Sequence, residues 1–244
     1  MIYDHTSKVY RAKWKLSGDD KFNGAYYYSQ EIVANIIPLV KTNRSWVTIN
    51  APSQCEDGAI VFIHNNLDTS LYDWMRNYKD LILVCGIPET CEKVAHLGTP
   101  IYVPISIDVE EVKEHKVKKK TKDTCFVGRK MKRTFKLPDD IDYLEGMPRE
   151  LLLDELAKYK KAYAVGRCAL EAKVLGCEIL TYDDRFPDPE IWQVIDNKDA
   201  AKILQSKLDE IDGKAVKKSN SKKKDEKGLI IFNNEEDEKS LNSN

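Results

Sequence analysis

The sequence predicts an α/β protein in which two small parallel-sheet domains follow one another along the chain. Three observations lead there. Short runs such as 59–63 (AIVFI) and 81–85 (LILVC) are apolar at every position rather than at alternate ones, the mark of strands buried on both faces of a sheet. Single helical patterns separate these runs, the order that builds a parallel sheet. The pattern also stops once, at a basic stretch between 113 and 122 (KEHKVKKKTK), and then restarts.

In the first half, residues 25–39 (AYYYSQEIVANIIPL) follow the Asn23-Gly24 turn and place Tyr28, Ile32, Val33, Ile36 and Ile37 on one helical face. Strands are predicted at 46–49 and 59–63, which are partly β-branched and bounded by polar or turn residues. Residues 71–78 (LYDWMRNY) have helical spacing. The strand at 81–85 leads through Gly86 and Ile87 into a helix with Pro88 and Glu89 at its start and Gly98 as its stop. A strand-like run at 100–105 closes this half. The second half repeats the alternation. Strands are predicted at 124–128, 141–144, 162–165 and 178–182, with helices over 149–160, 169–175 and 198–211. The organisation read from this is a first domain at 1–108, a basic linker at 109–122, a second domain at 123–212 and a charged tail at 213–244. Apart from LIIF at 229–232 the tail is polar and low in complexity, which predicts disorder.

Composition narrows the class. The 244 residues carry 39 Lys+Arg against 40 Asp+Glu, a net charge of −1 that averages over segments of opposite sign. No apolar run approaches the ~20 residues of a membrane span, and the first residues lack the apolar core of a signal peptide. The expectation is a cytoplasmic protein with no transmembrane segment. Six cysteines, at 55, 85, 91, 125, 168 and 177, show no C-x-x-C spacing, and only four histidines accompany them. They read as buried free thiols of a reducing compartment rather than as a zinc cluster.

The order of elements over 142–183 carries a resemblance. A strand, a helix beginning near Arg149-Glu150, a second strand and then Leu170-Glu171-Ala172-Lys173-Val174-Leu175-Gly176 followed by Ile179-Leu180 are similar to the donor-binding half of GT-B glycosyltransferases. The family shows there a helix start "G-x-x-x-(R/D)-E-(L/E)" and an element "L-E-A-x-x-x-G-x-P-V-I". Upstream, Phe126-Val127-Gly128-Arg129 resembles the family's "F-V-G-R". Asn23-Gly24-Ala25 with Tyr28 and Glu31-Ile32 resembles its acceptor-side loop and helix, and 102–108 (YVPISID) its "I-P-N-G-V-D" segment. Each match is short; their order over about 160 residues is what carries the resemblance.

The resemblance implies two Rossmann-like domains facing a cleft. It also implies a hexosyltransferase-type activity that moves a sugar from a nucleotide-diphosphate donor, a UDP- or GDP-sugar, to an acceptor that the sequence leaves open. No cofactor beyond this co-substrate is implied, and no metal, although 183–190 (DDRFPDPE) is rich in carboxylates. The donor is expected against Gly128, Arg129, Lys132 and Arg133, which follow a strand's C-terminus, and against Gly166, Arg167 and Glu171, where a helix starts. Cations and helix N–H groups at these places suit a diphosphate leaving group. By the family's pattern Glu171 accepts from the donor ribose. On the acceptor side His64 is the candidate base, with Glu31, Asp68 and Asp183 behind it.

Plainer readings stand beside these. Residues 129–133 also read as an exposed turn, His64 as a hydrogen-bonded strand-end histidine, and Arg167 as the helix salt-bridge partner of Glu171 four residues on. Tyr163 and Glu178 stand where the family has, respectively, a first glutamate and a proline. Those departures favour an alternative, a non-catalytic module of the same fold that binds a nucleotide or a protein. A further alternative uses the lysine clusters at 113–122 and 217–224 to contact DNA or an anionic surface.

Overall fold

The computed structural model describes residues 31–48, 55–63, 69–128, 137–186 and 188–213. Within them the chain is α/β, with two four-stranded parallel sheets. The first sheet runs in sequential order: β1 (Trp46–Thr48), β2 (Ile60–Ile63), β3 (Ile82–Cys85) and β4 (Thr99–Tyr102). β2 and β3 are apolar and buried at every position because both of their faces are covered. Trp46, Ile60, Phe62, Ile82, Val84 and Ile101 point into one cluster, and Val47, Val61, Ile63, Leu83 and Cys85 into another with Tyr72, Met75, Val94 and Leu97. Trp46 stacks on Phe62 at 5.6 Å.

The second sheet contains β5 (Lys122–Val127), β6 (Asp142–Leu144), β7 (Tyr159–Tyr163) and β8 (Glu178–Leu180), in the order β6-β5-β7-β8. The helices are α1 (Pro88–Val94), α2 (Val109–Glu114), α3 (Arg149–Leu156), α4 (Arg167–Val174) and α5 (Asn197–Ile211). A short helix at Thr69–Asn77, expected from its spacing, is wound as 3-10.

The two sheets share an interior. The cluster under β1 to β4 continues through Val112 to Cys125, Val127 and Ala162 of the second sheet, to Ala164 just after β7, and to Leu204 and Leu208 of α5. α5 packs back onto Ile32–Ile36 and Ile37–Leu39 of the first half. Ile107 donates from its N–H to the Ile195 carbonyl at 3.2 Å, and Asn197 donates to the Ile107 carbonyl at 3.2 Å, stitching the exit from the first half to the start of α5.

Three details differ from the sequence reading. The helix expected over 25–39 is described from Glu31 onward as a π turn (Ile32–Ile36) and a 3-10 turn (Ile37–Leu39); Pro38 lacks the N–H an α ladder needs. β7 lies at Tyr159–Tyr163 rather than at 162–165, because α3 ends at Leu156 instead of running on to Lys160. The segment read as a linker contains α2, capped by Asp108, whose carboxylate accepts from the Glu111 N–H at 2.9 Å. Residues 214–244 lie outside the described part, as does the expected disorder of the tail. Among the described residues no helix is long and apolar enough to cross a membrane.

Gly98, read as the stop after α1, is needed for close packing. A Cβ there would lie 2.6 Å from the Leu81 carbonyl oxygen, the oxygen that accepts from Thr99 N–H at 2.8 Å where β4 begins. Gly98→Ala is expected to cost about 1–3 kcal/mol by overpacking, read as a lower urea midpoint at unchanged slope.

Candidate functional site

In the second sheet the strand order reverses between β5 and β7: β6 lies on the far side of β5, and β8 on the far side of β7. Ligands of open parallel sheets bind outside the strands' carboxyl ends at such a reversal. Two connections leave from this point. After β5 the chain passes through Gly128, where a Cβ would approach the Phe126 ring to 2.8 Å. After β7 it passes through Gly166 into α4. Gly166 has φ +61 and ψ −136, a backbone conformation open essentially to glycine, and is the N-cap of α4 without a side-chain cap bond.

At the first turn of α4 lies a buried network of charges. The Arg167 and Glu171 side chains are only 4% and 3% exposed. Arg167 Nε donates to Glu171 Oε1 at 2.7 Å, while Nη1 and Nη2 donate to Glu31 Oε2 and Oε1 at 2.6 and 3.0 Å. The two-pronged contact with Glu31 spans the two halves of the chain. Arg149, the first residue of α3, donates from Nε to the same Glu171 oxygen at 3.3 Å and from Nη1 to Glu111 of α2. Its Nη2 is buried without a hydrogen-bond partner, 4.0 Å from Glu31 Oε1. Glu31 also accepts from the Asp108 N–H at 3.3 Å.

Two guanidiniums thus face three carboxylates. Burial raises the Glu31 pKa above its ordinary value, and the opposing pull of Arg167, the Asp108 N–H and Arg149 does not fully offset it. Burial works against the Arg167 charge, but the Glu171 and Glu31 carboxylates outweigh it and hold the guanidinium protonated.

Three residues predicted for the site from opposite ends of the sequence therefore meet: Glu31 from the acceptor side, Arg167 and Glu171 from the donor side. Arg167 also makes the i,i+4 bridge that the plainer reading expected. Gly128 and Gly166 flank the strand-order reversal. His64, Asp68, Arg129, Lys132 and Arg133 lie outside the described residues. Asp183 is buried and clasped by Arg185, whose Nε and Nη2 donate at 2.8 and 2.6 Å. Sequence reasoning did not single out Arg149 and Glu111; the available signals were an arginine opening an amphipathic helix and a glutamate three residues after a capping aspartate.

Among the described residues no group of three or more His, Cys, Asp or Glu is placed to hold a metal. Part of the basic stretch is used internally. Lys113 pairs with Glu110 at 2.8 Å, Lys122 with Glu155 at 2.5 Å, and Lys120 donates to the Ala157 and Tyr159 carbonyls at 3.2 and 2.6 Å. No family model, no curated protein and no solved structure matches the chain.

Proposed function

We propose that the chain binds a nucleotide-diphosphate sugar at the carboxyl edge of the second sheet and transfers the sugar to an acceptor held by the first half, as GT-B glycosyltransferases do. One observation carries the reading. The reversal between β5 and β7 falls on the two connections whose residues, Gly128 with the following cations and Gly166 with the start of α4, suit a diphosphate. In this reading backbone N–H groups at the start of α4 and the cations at 129–133 hold the phosphates, and the buried Glu31–Arg167–Glu171 network fixes the α4 turn on which they depend. Both arginine bonds to Glu171 end on Oε1, and in this reading its other oxygen accepts from the ribose hydroxyls. The donor is a UDP- or GDP-sugar, and the chain works without a resident cofactor.

A second reading is favoured by the closure of that network. With Arg167 committed to Glu31 and Glu171, and Glu171 shared with Arg149, the side chains expected to meet a donor already have partners. A module that binds a nucleotide or a protein without turnover fits this arrangement. Binding to DNA or an anionic surface through 113–122 is weakened by the internal bonds of Lys113, Lys120 and Lys122.

Calorimetric titration with UDP-, GDP-, ADP- and TDP-sugars, followed by assay for sugar-nucleotide hydrolysis, separates these. Heat with one donor plus slow hydrolysis lost in Arg129→Ala supports the transferase. Heat without hydrolysis supports the module, and no heat with any donor overturns both nucleotide readings.

A further inference from the structure

An open groove of about 540 Å³ lies along α5. Lys198, Lys202, Gln205 and Asp209 line it, and their three- and four-residue spacing makes them one stripe of that helix. Leu39, the last residue of the 3-10 turn Ile37–Leu39, and Ala201 form its apolar part. Leu39 is 52% exposed, whereas Ala200, Leu204 and Leu208 of the same helix are buried. Gln205 ties the helix to the chain beyond Leu39: its Oε1 accepts from the Lys41 N–H at 2.6 Å, and its Nε2 donates to the Lys41 carbonyl at 3.3 Å.

The two ends of the groove carry opposite charge. Lys198 and Lys202 stand at the start of α5, and Asp209 stands near its end, followed by Glu210. The helix dipole has the same sign as the groove's charge at each end, positive at the N-terminus and negative at the C-terminus. Among the described residues Lys198 has no ion pair, and Lys202 has only an exposed one, with Asp199 at 2.8 Å, a weak kind of bridge that another carboxylate can replace. The groove therefore suits a chain that brings cations to the end of α5, apolar residues to its middle and acids to its start.

The residues beyond Gly213 have that order. Lysines at 217–224 are followed by Leu229-Ile230-Ile231-Phe232 and then by Glu235-Glu236-Asp237-Glu238. α5 delivers the chain to Gly213, next to the groove's acidic end. The helix has 15 residues and is about 22 Å long at 1.5 Å per residue. Residues 214–228 reach about 50 Å when extended, enough for the chain to turn back and lay 229–238 along α5. We infer that this segment of the chain's own tail docks in the groove, antiparallel to α5, with 229–232 on Leu39 and Ala201 and the acids at Lys202 and Lys198. Laid parallel to α5, the same segment sets its acids against Asp209. Residues 8–15 (KVYRAKWK) interleave cations with apolar residues and suit the groove's lysines less.

The test uses the full chain with a photo-crosslinking benzophenone side chain in place of Phe232. Irradiation is expected to join position 232 to Leu39 or to residues 198–209 of the same chain, read by mass spectrometry of the peptides. Crosslinks that join two chains overturn the proposal in favour of a second copy in the groove. Crosslinks elsewhere in the chain, or none, overturn it outright. Leu39→Asp, and separately Lys198→Glu with Lys202→Glu, are each expected to lower the yield of the α5 crosslink at least about twofold by shifting the docked population. These side chains are exposed, so both variants are expected to keep the fold, which circular dichroism checks. An undiminished yield in either folded variant overturns the proposal, and if a variant fails to fold, the crosslink map of the parent chain decides.

Discussion

Replacing Arg167 by methionine is expected to lower folding stability by about 3–5 kcal/mol at neutral pH, the range for removing one partner of a buried ion pair. Methionine keeps much of the side chain's length and removes the charge. Glu31 then loses both of its bonds to Arg167, and Glu171 keeps only the 3.3 Å contact with Arg149. An exposed bridge is worth about 0–1 kcal/mol, so the size of the loss reports burial rather than the bridge as such. The pH dependence follows from Glu31. Its folded pKa is raised above the ordinary 4.5 by burial, with Arg167 the first of the groups pulling it down. A raised pKa means that the protonated form is favoured in the folded state. The stability this contributes is fully present below 4.5 and is lost as pH rises through the folded value. Without Arg167 that folded value climbs further. The deficit of Arg167→Met should therefore be largest at neutral pH and shrink as acid neutralises the stranded carboxylate. Adding Glu31→Gln should return part of the loss at neutral pH and flatten the pH dependence. Urea midpoints of the three variants and the parent at neutral and mildly acid pH provide the measurement. A loss under about 1 kcal/mol, or one independent of pH, would show that the network is not shielded from water.

How much of this is legible in the sequence depends on the range of the interaction. A strand between two covered faces is apolar at every position, and that is why β2 and β3 are recognisable from their own residues. The boundary of β7 is not, because Tyr159-Lys160-Lys161 continues the polar face of α3 in sequence while in space it begins a strand whose lysines stay at least partly in water. α2 is hidden for a related reason: Val109–Glu114 is mostly charged, so its single buried apolar residue, Val112, leaves almost no periodic signal. Only the capping aspartate marks it. In the candidate site the Arg167–Glu171 bridge is local and follows from helix spacing. That Glu31 completes it is tertiary information, set by the packing of α5 and the Ile107 segment against both halves. Arg149 looks in sequence like any solvated cation at a helix start. It becomes part of the site only because α2 and α4 flank it.

Gly166→Ala is expected to weaken nucleotide-sugar binding by at least about tenfold, or roughly 1.4 kcal/mol, whereas Gly146→Ala is expected to leave it within about twofold. Both glycines have positive φ, +61 and +65, so both substitutions strain the backbone, and Gly146→Ala should lose about 1–2 kcal/mol of stability. At Gly146, before α3, an added Cβ meets nothing within 4 Å, and the proposed phosphate contacts do not involve that loop. Gly166 differs in two respects. Its ψ of −136 lies outside the left-handed helical well that alanine tolerates, so the chain must rotate to accept a side chain. That rotation also re-aims the N–H groups at the start of α4, which in the proposed reading face the diphosphate. The pair therefore separates strain from position. Lost binding in Gly166→Ala with retained binding in Gly146→Ala supports a phosphate site at the β7–α4 connection. Equal affinity in both variants and the parent would remove the ligand from that connection. Equal loss in both would trace the effect to destabilisation of the second sheet, a case that thermal melts of the unliganded variants identify directly.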